Sequence, residues 1–91
     1  MSLSKNYSDK ADVFSFGMVL YELITKKQPF QDQPGFNIPV LIAKGIRPAV
    51  PKEVPKFWSK LMKDCWNDKS SKRPSFAKIA KLILAENARR K

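Results

Sequence analysis

The sequence contains no histidine and only one cysteine, Cys65. A disulfide within the chain needs two cysteines, so no disulfide framework can stabilise this protein. A structural zinc site needs about four cysteine or histidine ligands and a Cys–His nucleophile needs a histidine, so neither can be built from these residues. A single unpaired cysteine is typical of proteins in reducing compartments. We therefore predict a cytoplasmic (intracellular) protein.

Negative charge is scarce, with 8 acidic residues against 18 lysines and arginines, which gives a net charge of +10. Such an excess could attract nucleic acid, a membrane surface or an acidic protein, or it could be a solvated basic face. No recognised nucleic-acid-binding motif accompanies the charge, so we predict no nucleic-acid partner.

Long hydrophobic runs are also missing. The most apolar stretch, residues 13–24, contains Ser15 and Glu22 and is too short to cross a bilayer. We predict no direct membrane insertion. Residues 1–5 are too short and polar for a secretory leader, and we expect them to be disordered or to originate from an expression vector.

What is present is a helical pattern in a chain with the apolar content of a globular protein (43%). Proline and glycine separate the helical segments, and no segment alternates with a period of two. We predict an all-α chain of about four helices. Their expected bounds are Ser8–Thr25 with Ser8 as N-cap, Ile38–Lys44, Pro55–Trp66, and Phe76–Arg89 with Ser75 as N-cap.

The first of these helices has apolar residues around its whole axis, which predicts a central position in the fold. We expect Asp12 to be partly buried there and to accept hydrogen bonds from backbone N–H groups of another segment. Glycine inside a helix costs about 1 kcal/mol relative to alanine. Gly17 therefore indicates a close approach by another backbone or by a bulky side chain.

Arg73 precedes Pro74 at the expected start of the fourth helix. An arginine in this position is commonly a surface residue. Its planar guanidinium could equally be the fixed bidentate partner of a carboxylate. The residue pattern leaves both interpretations open.

Two stretches of the sequence resemble eukaryotic protein kinases. "SDKADVFSFGMVLYELITKKQPF" resembles their Asp-x-aromatic-Ser-x-Gly segment, and "CWNDKSSKRPSF" resembles a later Cys-Trp and Arg-Pro-Ser-Phe signature. The intervening "LIAKGIRPAVPKEVP" is similar to the short helix and loop of tyrosine kinases and the tyrosine-kinase-like group. The resemblance covers about residues 7–84, and the order and spacing of the motifs make it specific. It implies that residues 1–91 are part of one kinase domain, the helical subdomain of its large lobe.

The resemblance also implies roles for individual residues. Asp12, in the motif with Gly17, would hold the catalytic loop through backbone hydrogen bonds. Val19 and Leu23 would support the apolar spine beneath the adenine of ATP. Arg73 would pair with the glutamate of an Ala-Pro-Glu motif.

The sequence has no glycine-rich loop, no Val-Ala-Ile-Lys lysine, and no His-Arg-Asp, Asp-Phe-Gly or Ala-Pro-Glu motif. We therefore predict no catalytic, cofactor-binding or metal-binding residues in this chain, and no enzyme activity from the chain alone. ATP and Mg²⁺ would belong to a parent kinase that phosphorylates tyrosine, serine or threonine in protein substrates. The expected partners are the rest of the kinase domain and, through the apolar first helix, a second copy. A catalytically dead kinase-like scaffold and a basic helical interaction module are the alternatives.

Overall fold

The computed structural model describes residues 5–90, with side chains from residue 9 onward. These residues form four α-helices and no strand, which confirms the predicted all-α class. Two short 3₁₀ turns, Gly35–Asn37 and Ser70–Lys72, lie in the connections. The α-helices are α1 (Lys5–Thr25), α2 (Ile38–Ala43), α3 (Lys56–Cys65) and α4 (Phe76–Arg89).

Most helix ends lie within one residue of the predicted bounds because strong local signals fix them. The Ser75 hydroxyl accepts a hydrogen bond from the Lys78 backbone N–H at 3.1 Å and so caps α4 as predicted. Gly45 follows α2 with a φ of +86°, the left-handed conformation that glycine adopts most easily after a helix.

The predicted start of α1 at Ser8 is wrong, because the backbone is already helical at Lys5. Serine can also occupy a helix interior, so a capping residue alone does not fix the first turn. The leader expected at residues 1–5 lies outside the described residues except for Lys5, which is helical.

The core is built mainly where α1 packs against α3. Its buried members from α1 are Val13, Leu20 and Tyr21, and α3 contributes Leu61, Met62 and Cys65, followed by Trp66. The rings of Tyr21 and Trp66 lie 6.2 Å apart between centroids. The fourth helix joins this core through buried Ile79 and through Phe76, whose ring meets Phe16 edge-on at 5.9 Å.

Gly17 lies at the tightest point of the α1–α3 contact. A Cβ atom added to it would lie 2.9 Å from the Cβ of Cys65 and 3.2 Å from the carbonyl oxygen of Met62. Both atoms belong to or adjoin the α3 backbone and cannot rotate away. The close approach predicted for Gly17 is therefore confirmed, and it explains a glycine in the middle of a 21-residue helix.

The opposite side of α1 is not covered by the described residues, so this helix is buried on one face rather than all round. Val19 and Leu23 are 53% and 63% exposed, and Asp12, Ser15 and Glu22 on the same side are exposed too. Apolar residues around the whole axis predicted a central helix with neighbours on all sides, and the described residues supply neighbours on one side. Within residues 5–90, no helix has both the length and the apolar character needed to span a membrane.

We expect Gly17→Ala to lower the free energy of unfolding by about 1–2 kcal/mol, measured by urea denaturation. The added methyl group forces α1 and α3 apart, and this overpacking outweighs the gain of about 1 kcal/mol in helix propensity. The control is Gly35→Ala, where an added Cβ meets no described atom within 4 Å. Equal stability of the two variants would contradict the close packing.

The Cys65 thiol gives the fold a pH dependence. Burial, with a smaller effect of Asp64, raises the pKa of Cys65 from its ordinary value of 9.0 to about 11. Below pH 9 both states keep the thiol protonated; above it the unfolded chain ionises first, so stability falls as pH rises toward 11. Between pH 8 and pH 10.5 the free energy of unfolding should fall by about 2 kcal/mol more than in Cys65→Ala. If the free energy of unfolding has the same pH dependence in both proteins, the thiol has the same pKa in the folded and unfolded states, which would contradict the prediction.

Candidate functional site

The exposed face of α1, defined by Asp12, Ser15, Val19, Glu22 and Leu23, contains three of the residues singled out in the sequence. Asp12 is exposed, so its predicted partial burial is wrong. The reason is helix geometry: α1 packs through Val13 and Gly17, and Asp12 lies about 100° around the axis from Val13. Among residues 9–90, no group donates a hydrogen bond to the Asp12 carboxylate. The donors that were expected from another segment are therefore not supplied by the described residues.

Val19 and Leu23 follow one turn apart at the C-terminal half of the same face. Val19 also borders a shallow, mainly apolar groove between α1 and α2, which is lined in addition by Met18, Glu22, Pro29, Phe30, Ile38 and Ile42. With a rise of about 1.5 Å per residue, Val19 lies about 10 Å along the axis from Asp12. The face thus has the Asp12 carboxylate at its N-terminal end, and Val19 and Leu23 with the Glu22 carboxylate between them at its C-terminal end.

Arg73 is partly buried and reaches the turn of α1 that carries Asp12. Its Nε donates to the carbonyl oxygen of Asn67 at 2.8 Å, and its NH1 donates to the carbonyl oxygen of Lys10 at 3.1 Å. The Lys10 ammonium group donates in return to the Arg73 carbonyl oxygen. Arg73 is therefore not a freely solvated side chain, although part of it stays exposed. Within the described residues its partners are carbonyl oxygens, and no carboxylate forms an ion pair with it.

Positive charge is concentrated around Arg73. Burial lowers the pKa of Arg73, and the neighbouring positive charge of Arg47 lowers it further, while Asp68 acts weakly in the opposite direction. Both causes disfavour the charged form, although a guanidinium stays protonated at neutral pH. Other groups around Arg73 must therefore offset the unfavourable burial of its charge and the repulsion from Arg47.

Sequence reasoning missed the arginine that lies beside it. The Nε of Arg47 donates to the carbonyl oxygen of Trp66 at 2.8 Å, and its NH1 donates to the carbonyl oxygens of Ile42 and Ile46, each at 3.1 Å. The ring of Phe14 lies close to both guanidiniums, 5.0 Å from that of Arg47 and 4.9 Å from that of Arg73. We call Arg47, Phe14 and Arg73 the arginine clamp. The available signal was the arginine of "GIRP", a charged residue in a segment otherwise glycine-, proline- and aliphatic-rich.

The structure thus brings Arg73 to the segment 10–14 around Asp12, and it leaves Val19 and Leu23 further along α1. Mg-ATP does not fit the residues present. The sequence has no phosphate-binding loop, and the described residues contain no group of three Asp, Glu, Cys or His side chains that could hold a metal ion. We assign no step of phosphoryl transfer to them.

Comparison with known proteins gives a consistent result. A family model described as "Protein tyrosine and serine/threonine kinase" matches residues 1–83. A probable LIM domain-containing serine/threonine-protein kinase of Dictyostelium discoideum is 49% identical over 73 residues, which are 80% of this chain and 11% of that protein. The RGS domain-containing serine/threonine-protein kinase A of the same organism is 41% identical over 76 residues, 84% of this chain and 7% of that protein.

A viral protein is similar as well. A putative serine/threonine-protein kinase/receptor of Acanthamoeba polyphaga mimivirus is 38% identical over 80 residues, which are 88% of this chain and 5% of that protein. The chain therefore spans about a tenth or less of the length of these three relatives.

Proposed function

Because the chain belongs to the protein tyrosine and serine/threonine kinase family, we propose that it is part of the catalytic domain of a kinase that transfers the γ-phosphoryl group of ATP to proteins. The named relatives are all described as serine/threonine kinases. This favours serine or threonine over tyrosine as the acceptor. Members of the family use ATP and Mg²⁺, which would be bound by residues outside this sequence. A cytoplasmic location stays a prediction.

Within that kinase, the role of this chain is mechanical support of the catalytic machinery. The observation that carries this proposal is the exposed face of α1, with Asp12 at its N-terminal end and the two aliphatic side chains Val19 and Leu23 beside Glu22 at its C-terminal end. Asp12 is accessible to backbone N–H groups of a neighbouring loop, and hydrogen bonds to a carboxylate are roughly twice as strong as neutral ones. In this role Asp12 fixes the catalytic loop.

The two aliphatic side chains of the same face have a separate role. Val19 and Leu23 are aliphatic and more than half exposed, which is unfavourable unless another surface covers them. In the complete kinase they would lie under the apolar spine that supports the adenine. In the isolated chain the same face would favour self-association.

Arg73 completes the proposed support. It lies against the turn of α1 that carries Asp12, and its guanidinium is already held by two carbonyl oxygens. A carboxylate from the rest of the domain, the glutamate of the Ala-Pro-Glu motif in this family, would meet a guanidinium with a restricted orientation. Bidentate pairing gains geometric specificity from such restriction.

In the complete kinase, we expect Asp12→Asn to lower kcat on the order of 10²-fold, measured by phosphorylation of a peptide at saturating ATP. A misplaced catalytic loop costs about this much when reacting groups shift by about 1 Å. Asp9→Asn is the control, because it removes the same charge from an exposed site one turn earlier. Equal losses in both variants would indicate a general charge effect, and no loss in Asp12→Asn would contradict the proposed role.

A further inference from the structure

We propose that Arg47 is a positioning residue that, together with Phe14, holds the guanidinium of Arg73 in place at the C-terminal end of α3. Arg47 lies 26 positions before Arg73 in the sequence and in a different connection. Both side chains nevertheless bind carbonyl oxygens at the same helix end.

Two hydrogen bonds place Arg47 and Arg73 at this helix end. Helix α3 ends at Cys65, and the next two carbonyl oxygens belong to Trp66 and Asn67. Arg47 Nε donates to the first of these and Arg73 Nε to the second, each at 2.8 Å. Trp66 is the C-cap of α3 and Asn67 follows it, so neither carbonyl group has a partner within the helix and both are available to the two side chains.

The electrostatics explain how two guanidiniums can contact the same aromatic ring. A helix C-terminus carries a partial negative charge, and Arg47 contacts two of them, because Ile42 lies in the last turn of α2. The carboxylate of Asp68 contributes less, since it lies 3.8 Å from Arg47 NH2 and is 74% exposed. The repulsion between Arg47 and Arg73 is therefore offset mainly by backbone dipoles.

Phe14 connects the two arginines. The face of an aromatic ring attracts cations, and the guanidinium carbons of both arginines lie within about 6 Å of its centroid. A displacement of Arg47 would move the Trp66 carbonyl, which is adjacent to the acceptor of Arg73. It would also change the position of the Phe14 ring, which both side chains contact. Lysine cannot replace Arg47, because it has no planar fork with which to reach the Trp66 and Ile42 carbonyls at once.

The consequence is preorganisation. A guanidinium that is already ordered loses less conformational entropy when a carboxylate binds it. The benefit of this order for a kinase rests on the proposed function of Arg73. The effect of Arg47 on the order of Arg73 is independent of that function, because it depends only on contacts within this chain.

The test is the exchange of the side-chain Nε–H protons with solvent, followed by NMR on the isolated chain. The sequence has four arginines, so the signals can be assigned by substitution. In Arg47→Lys we expect the Nε–H of Arg73 to exchange about three- to tenfold faster, because the variant loses the stacking of Arg47 on Phe14 and its hydrogen bond to the Trp66 carbonyl, which order the ring and the backbone that Arg73 contacts. Arg90→Lys is the control, because Arg90 pairs with Glu86 on α4 and touches none of the clamp.

A second pair of variants keeps the test valid if Arg47→Lys does not fold. Phe14→Leu preserves apolar volume but removes the ring, and it should speed Nε–H exchange of both Arg47 and Arg73. Phe14→Tyr retains a ring and should leave both rates unchanged. If the Nε–H of Arg73 exchanges in Arg47→Lys or in Phe14→Leu at the same rate as in the wild-type chain, the proposal is overturned. Because no ATP or activity enters this measurement, its failure is distinguishable from failure of the proposed kinase function.

Discussion

At Gly17, α1 and α3 approach so closely that a single methyl group would not fit between them, and the arrangement of the other elements follows from this contact. The missing side chain lets the α3 backbone lie against α1, with Cys65 and Met62 as its nearest neighbours. Val13 and Tyr21 on either side of Gly17 then become buried in the same interface. A closely packed interface of this kind tolerates small changes in volume poorly.

The same contact determines where the charged groups lie. It brings the C-terminal end of α3 beside the turn of α1 that contains Phe14, so Arg47 and Arg73 can bind the two carbonyl groups that follow α3 and the aromatic ring together. It also divides α1 into a packed side and an exposed face with Asp12, Val19 and Leu23. The proposed support of a catalytic loop therefore has its origin in how one helix pair packs.

The sequence was informative where a single residue type carries a local requirement. Ser75, Gly45 and the prolines predicted helix ends, and Gly17 predicted a close approach, because each acts on the backbone at or next to its own position. The environments of Asp12 and Arg47 could not be predicted in this way. The burial of Asp12 depends on which side of α1 is packed, and the contacts of Arg47 depend on where α2 and α3 end in space. Apolar residues around a helix do not reveal which of them are covered by the same chain.

The exposed face of α1 must pack against another surface, and this is the central requirement of the structure. Light scattering of the isolated chain over a range of concentrations tests it most directly, with Leu23→Glu as the variant and Phe36→Glu as the control, since Phe36 is 81% exposed but lies outside α1. We predict that the apparent mass rises with concentration in the wild-type chain and in Phe36→Glu, and that Leu23→Glu reduces the rise. A monomer at every concentration, or an equal reduction in both variants, would contradict the claim.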